Sequence, residues 1–72
     1  MATLMEKDSL INGISQTLGL IVHATGGRNE DSNLLAGLRN QLYAQNPEEI
    51  DYEELSKMVS EKFQKYKSML GW

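Results

Sequence analysis

The stretch "LIVHATGGRNEDSNLL", Leu20 to Leu35, decides the fold of this 72-residue chain. An apolar run enters a Gly-Gly pair, and an arginine and a polar cluster lead back into leucines. Two readings compete: a phosphate-cradling loop between a strand and a helix, or a connection between two helices. A Walker loop sets a lysine and a hydroxyl residue directly behind its glycines so that the ammonium reaches the phosphates. A dinucleotide fingerprint spaces three glycines after a parallel strand. Here Gly26-Gly27 is followed by Arg28 and Asn29, and neither pattern is met. The residues upstream settle the choice. Leu4, Ile11 and Leu18 recur every seven positions, with Ile14 and Ile21 between them on the same side. That is the spacing of a helical stripe, not the alternation of a strand. The opening stretch is therefore a helix end, a tight loop and a helix start, with glycine ending the helix because it takes the left-handed conformation without a Cβ clash.

Working outward, the first helix is expected over about residues 4 to 25. Thr3 with Glu6 suits a capping box, and Asp8 or Ser9 suits a later start. Gly13 and Gly19 weaken this helix by up to about 1 kcal/mol each, and they either mark points where another helix comes close or are costs without a compensating contact. Asn29, Asp31 and Ser32 are all good caps. Leu34, Leu35, Leu38 and Leu42 then step at helical spacing, which predicts a second helix over about 33 to 45. The residue before a proline avoids the helical region, so Asn46-Pro47 closes it. A third helix is expected over about 48 to 70, starting either with Asn46 as cap and Pro47 in the first turn or with Asp51 and Glu54 as a cap pair. Its start is acidic (Glu48, Glu49, Asp51, Glu53, Glu54) and its end basic (Lys62, Lys65, Lys67), as the helix dipole favours. Gly71 terminates it and Trp72 folds back on the last turn. The expected fold is all-α, one domain over 1–72, an up-down-up three-helix bundle. The expected core is Ile14, Leu18, Ile21, Leu38, Leu42, Leu55, Val59, Phe63 and Tyr66.

Ten acidic residues against seven basic ones leave a net charge of −3, whereas a nucleic-acid binder carries a basic footprint. Arg39, Asn40 and Gln41 on the second helix are the residues a DNA-binding reading would use, and that reading is set below the others. No cysteine is present and there is one histidine, His23, so neither disulfides nor a structural zinc site reinforce the fold. Leu20-Ile21-Val22 is far short of the ~20 residues that span a bilayer, and "MATLMEKDS" has no secretory pattern. A cytoplasmic protein is expected, with no membrane span, cofactor or metal.

Residues that imitate chemistry have plainer explanations. Asn29, Asp31 and Asn33 match the first three ligands of a calcium loop, but that loop needs glycine at its sixth position and glutamate at its twelfth. The chain has Leu34 and Asn40 there. His23 lies where a helix C-terminus favours positive charge, with no serine and aspartate pattern around it. The carboxylates of 48 to 54 read as a solvated helix start. In "KFQKYKSMLGW" the aromatics fall on the apolar face and the lysines flank it. No catalytic residue is assigned, and no enzymatic activity is expected.

A chain of this length buries only about 60% of its unfolded surface, so its core is marginal and a partner subunit is the reinforcement left. A helix of ~13 residues, about 20 Å long, cannot cover a first helix of about 33 Å. The apolar strip left over predicts a dimer with two-fold symmetry. Its expected interface is Leu4, Ile11, Leu18 and Val22 from the first helix, and Met58, Met69 and Trp72 from the third helix and its end.

The stretch "GGRNEDSNLLAGLRNQLYAQ", with its apolar helix before and its third helix after, resembles helical N-terminal regions of bacterial diguanylate cyclases. The likeness covers most of the chain and consists of leucine spacing with the Leu38-Arg39 pair. It implies a sensory or dimerisation module set in front of a separate catalytic domain. The cyclase's catalytic motif does not occur here, so no catalysis is implied. The chain is also similar to small helical immunity proteins against bacteriocins, which implies an inhibitor docking a larger protein.

Overall fold

The computed structural model describes residues 2 to 72. The first helix, α1, runs Leu4–Thr25, as its spacing predicts. Its start is the expected capping box: the Glu6 N–H donates to Thr3 Oγ1 at 3.1 Å, and the Thr3 N–H donates to Glu6 Oε1 at 2.9 Å. Its end is Gly26, left-handed at φ 78°, whose N–H donates to the Val22 carbonyl at 2.8 Å. A β-branched residue at that φ would strain the backbone.

The second helix, α2, runs Glu30–Ala44 and begins three residues before the expected start. "EDSN" carries no apolar residue to reveal its periodicity, and the caps decide instead. Ser32 N–H donates to Asn29 Oδ1 at 2.9 Å and Asn29 N–H donates to Ser32 Oγ at 2.8 Å, so two otherwise unpaired amides are satisfied at once. At the other end of α2, the Lys7 ammonium donates to the Gln45 carbonyl at 2.6 Å. A cation there suits both the free carbonyl and the dipole.

The third helix takes the later of its two expected starts, the one capped by Asp51. Pro47–Glu49 forms a separate 3-10 turn, and α3 runs Tyr52–Met69. Asn46 makes no side-chain cap; Asp51 does, accepting from the Glu54 N–H at 3.3 Å. Ile50 sits between turn and helix and is buried. At the C-terminus Gly71 is left-handed at φ 73°, its N–H donating to the Ser68 carbonyl and the Trp72 N–H to the Lys67 carbonyl. This pair of bonds is a Schellman ending, and it folds Trp72 back as expected.

The chain is an up-down-up three-helix bundle about 35 Å long, with no strand among the described residues. Helix α1 is the middle element. It packs against α3 along most of its length and against α2 on its other flank, while α2 and α3 touch each other little. The core is Leu10, Ile11, Ile14, Leu20 and Ile21 of α1, Leu35 and Leu42 of α2, Ile50, and Val59 and Tyr66 of α3. Thr17 is buried among them and its hydroxyl donates to the Gly13 carbonyl at 2.7 Å, so it leaves no unpaired group.

Four expected core residues, Leu18, Leu38, Leu55 and Phe63, are only half-buried, and Leu35 and Ile50 are buried in their stead. Leu18 lines the α1–α2 groove and Phe63 the α1–α3 cleft, and for the other two the cause is the divergence of α2 and α3. Leu38 and Leu55 face a gap between those helices, an open cleft floored by Ile50 and rimmed by Gln41, Gln45, Glu49, Asp51 and Glu54. Leu35 and Leu42, seven residues apart, face α1 and are wholly covered.

Candidate interaction surface

Two features of the surface are built rather than incidental: a polar hub that ties α2 to α3, and an apolar face along the α1–α2 seam.

The hub is Asp31, in the first turn of α2. Its Oδ1 is 3.0 Å from Lys62 Nζ, its Oδ2 is 3.0 Å from Lys65 Nζ, and its Oδ2 also accepts the Tyr66 hydroxyl proton. The Tyr66 oxygen in turn accepts from Asn29 Nδ2 at 3.0 Å. The cap of α2 and one face of α3 are thus one network. The Tyr66 hydroxyl, and then the two ammoniums, hold the Asp31 carboxyl well below the usual carboxylate range, because each bond favours the charged form. The same contact with Asp31 raises the Lys65 ammonium. The segment Asn29 to Asn33, which imitates a calcium loop in sequence, serves here as cap and hub. Its Asp31 oxygens are filled by protein donors.

The apolar face follows a regular register. Leu4, Asp8, Ile11, Ser15, Leu18 and Val22 succeed one another at steps of four and three along α1, and Ser32, Ala36, Arg39 and Tyr43 do so along α2. Residues at those steps share one side of a helix. Where the two rows meet, Leu18, Val22, Ala36, Arg28, Arg39 and Asn40 line an open groove of about 420 Å³. Arg39 Nη1 donates to Ser15 Oγ at 3.2 Å and pins the two rows in register. Leu4, Val22 and Tyr43 on this register are 65, 53 and 63% exposed, with Leu4 and Val22 about 27 Å apart at its two ends.

No family model matches this chain, and neither does any curated protein or solved structure.

The residues expected at an interface are split among several places. Leu4, Val22, Met69 and Trp72 are exposed, and Leu18 and Met58 are half-buried. Ile11 is a correction: at 9% exposure it belongs to the core beneath the seam and offers almost no surface to a partner. The cause is that the Leu4–Ile11–Leu18 row faces the flank of α2, which covers its middle and leaves both ends open. Met58, three residues beyond Leu55 and four before Lys62, lies on the α2 side of α3 rather than with the α1 row. Trp72 stands by His23, ring centroids 5.9 Å apart and planes tilted by 52°, so the segment that ends α3 meets the last turn of α1.

Gly13 does permit close approach, but within the chain: a Cβ there would lie 3.4 Å from Val59 Cγ1 of α3. It also lines a shallow cleft between α1 and α3 with Leu10, Tyr52, Val59 and Phe63. Gly19 has nothing within 4 Å of such a Cβ. Of the DNA-reading trio, Arg39 is occupied by Ser15, while Asn40 and Gln41 are exposed on different flanks of α2. Sequence reasoning missed Tyr43 and the hub. Tyr43 carried a usable signal, an aromatic four residues past Arg39 and off the Leu35–Leu42 row. The hub joins residues 31 to 37 positions apart, and no local pattern announces such a pairing.

Among the described residues no helix is long and apolar enough to cross a membrane.

Proposed function

We propose that this chain is a non-enzymatic helical interaction module that self-associates in the service of regulation or signalling. The observation that carries the reading is the exposure of Leu4, Val22 and Tyr43 along the α1–α2 seam, on a chain whose own core is marginal in size. A second copy covering that seam removes apolar surface from water and stabilises both copies. The resemblance to the helical N-terminal regions of diguanylate cyclases supports the same reading, because there such a module joins copies ahead of a catalytic domain. A chain without cysteine suits the reducing cytoplasm in which such regulators act.

Sedimentation equilibrium over a micromolar range tests this. The expected species has twice the 8.1 kDa mass of the chain and dissociates on dilution. A single 8.1 kDa species at every concentration refutes self-association.

One observation favours a second reading, an inhibitor- or immunity-type protein that docks a larger target. Five of the ten acidic residues fall in positions 48 to 54, where no basic residue occurs, so the negative charge is gathered at one end. A basic target face is the complement of that end.

A further inference from the structure

The α1–α2 seam carries an acidic residue toward one end, a basic one near its middle and another beyond its other end. Arg39 lies level with Ser15, to which it is bonded, and Arg28 lies beyond Val22 in the loop that joins α1 to α2. Asp8 lies toward the start of α1, and the acidic turn Pro47–Glu49 sits beside that start, where the Ala2 N–H donates to the Pro47 carbonyl at 3.1 Å. Every ion pair among the described residues converges on Asp31, so Asp8, Arg28 and Arg39 have no charged partner among them.

We propose that the α1–α2 seam is the surface on which two copies of this chain meet, antiparallel about a two-fold axis at the level of Ile11. The inference rests on the reading of the chain as a self-associating module and names its surface and symmetry.

Two midpoints along α1 and the level of Tyr43 on α2 place the axis. Asp8 and Ser15 are seven residues apart, about 10 Å along α1, and their midpoint falls between Ile11 and Asn12. An axis there sets Asp8 of each copy against Arg39 of the other. Leu4 and Leu18, the apolar pair of the same row, have their midpoint at Ile11, so the same axis sets Leu4 of each copy on Leu18 of the other. Tyr43 lies one turn past Arg39 on the antiparallel α2, which brings it level with Ile11. The axis therefore brings the two exposed Tyr43 rings side by side. A parallel two-fold arrangement would set Arg39 on Arg39 and Asp8 on Asp8, and like charges across an interface are costly.

The test is charge reversal and exchange, read by sedimentation equilibrium as the dimer dissociation constant. Arg39→Glu and Asp8→Arg are each expected to weaken dimerisation at least about tenfold, since each change acts twice in a two-fold dimer. The double variant Asp8→Arg/Arg39→Glu is expected to return to within about threefold of wild type, because the pair is rebuilt with its signs exchanged. Melting curves check that each variant is folded. Should Arg39→Glu unfold through loss of its Ser15 bond, Asp8→Arg, at an exposed residue, carries the test with Tyr43→Asp as its companion. A wild-type dimer whose dissociation constant ignores Asp8→Arg and Tyr43→Asp overturns this interface and leaves self-association standing. A wild-type monomer overturns both.

Discussion

Replacing Asp31 by asparagine removes one negative charge from the hub and little else. The side chain keeps its shape and one oxygen that still accepts from the Tyr66 hydroxyl. It loses the charge that Lys62 and Lys65 meet at 3.0 Å each, and the favourable placement of an anion in the first turn of α2. Lys65 is largely in solvent, so its share is small and screened by salt. Lys62 and the Asp31 carboxylate are only 28 and 18% exposed as side chains, and a charge-assisted bond of that kind with the dipole contribution amounts to about 1–2 kcal/mol. Against a total stability on the order of 5 kcal/mol, this is a visible fraction.

The pH dependence gives the perturbation a signature. Because the folded carboxyl is held below its ordinary value of 3.8, its stabilisation is complete above that value. It is lost as pH falls from there through the folded pKa. Urea midpoints of wild type and Asp31→Asn should therefore differ by about 1–2 kcal/mol at pH 7 and draw together below about pH 4. Equal midpoints at pH 7, or a gap that does not narrow in acid, would refute the claim that the hub acts through the ionised carboxylate.

Four further outcomes follow from the same packing. Leu35→Ala should cost about 2–5 kcal/mol, whereas Leu34→Ala, next to it and half in solvent, should stay within about 0.5 kcal/mol; denaturation midpoints that rank them the other way would turn α2 over. Tyr66→Phe should cost about 1–2 kcal/mol, because Asn29 Nδ2 loses its acceptor and Asp31 its hydroxyl donor, and this is read in the same urea titration. Gly26→Val should lower the melting temperature by an amount equivalent to about 1 kcal/mol or more. Gly19→Ala, with open space around the new methyl, should instead stabilise α1 by up to about 1 kcal/mol, and a loss of stability there would show that Gly19 is covered by something in solution.

The first helix was legible almost residue by residue, because all its signals are local: the Leu4–Ile11–Leu18 row, the Thr3–Glu6 box and Gly26. The start of α2 was not, since Asn29 and Ser32 compete with Asp31 as caps in the sequence and only the folded chain gives Asp31 to Tyr66 and the lysines. The choice between Leu35 and Leu38 in the core was also hidden. Both belong to one leucine stripe, and which of them is covered depends on whether α3 closes on α2, a property of two helices far apart in the chain. Ile50 was overlooked because it lies in a connection, where periodicity has nothing to measure. The candidate face was half legible: Leu4, Leu18 and Val22 could be read from spacing, while Ile11 could not be told from them, since the same row is core at its middle and surface at its ends.

The weak meeting of α2 and α3 has a bearing on how the molecule opens. Helix α2 is held by Leu35, Leu42 and Ser32 against α1 and by the Asp31 network at its first turn, and by little along the rest of its α3 side. Helices α1 and α3 share the larger buried surface. The amides of α2 should therefore exchange with solvent deuterium through a partial opening that detaches this helix while the α1–α3 pair stays folded. Their protection should be below that of Ile14 and Val59 and should fall further in Asp31→Asn. In that view α2 is the helix with its own, lower melting point, and a second copy seated on its α1 side would be the means of raising it.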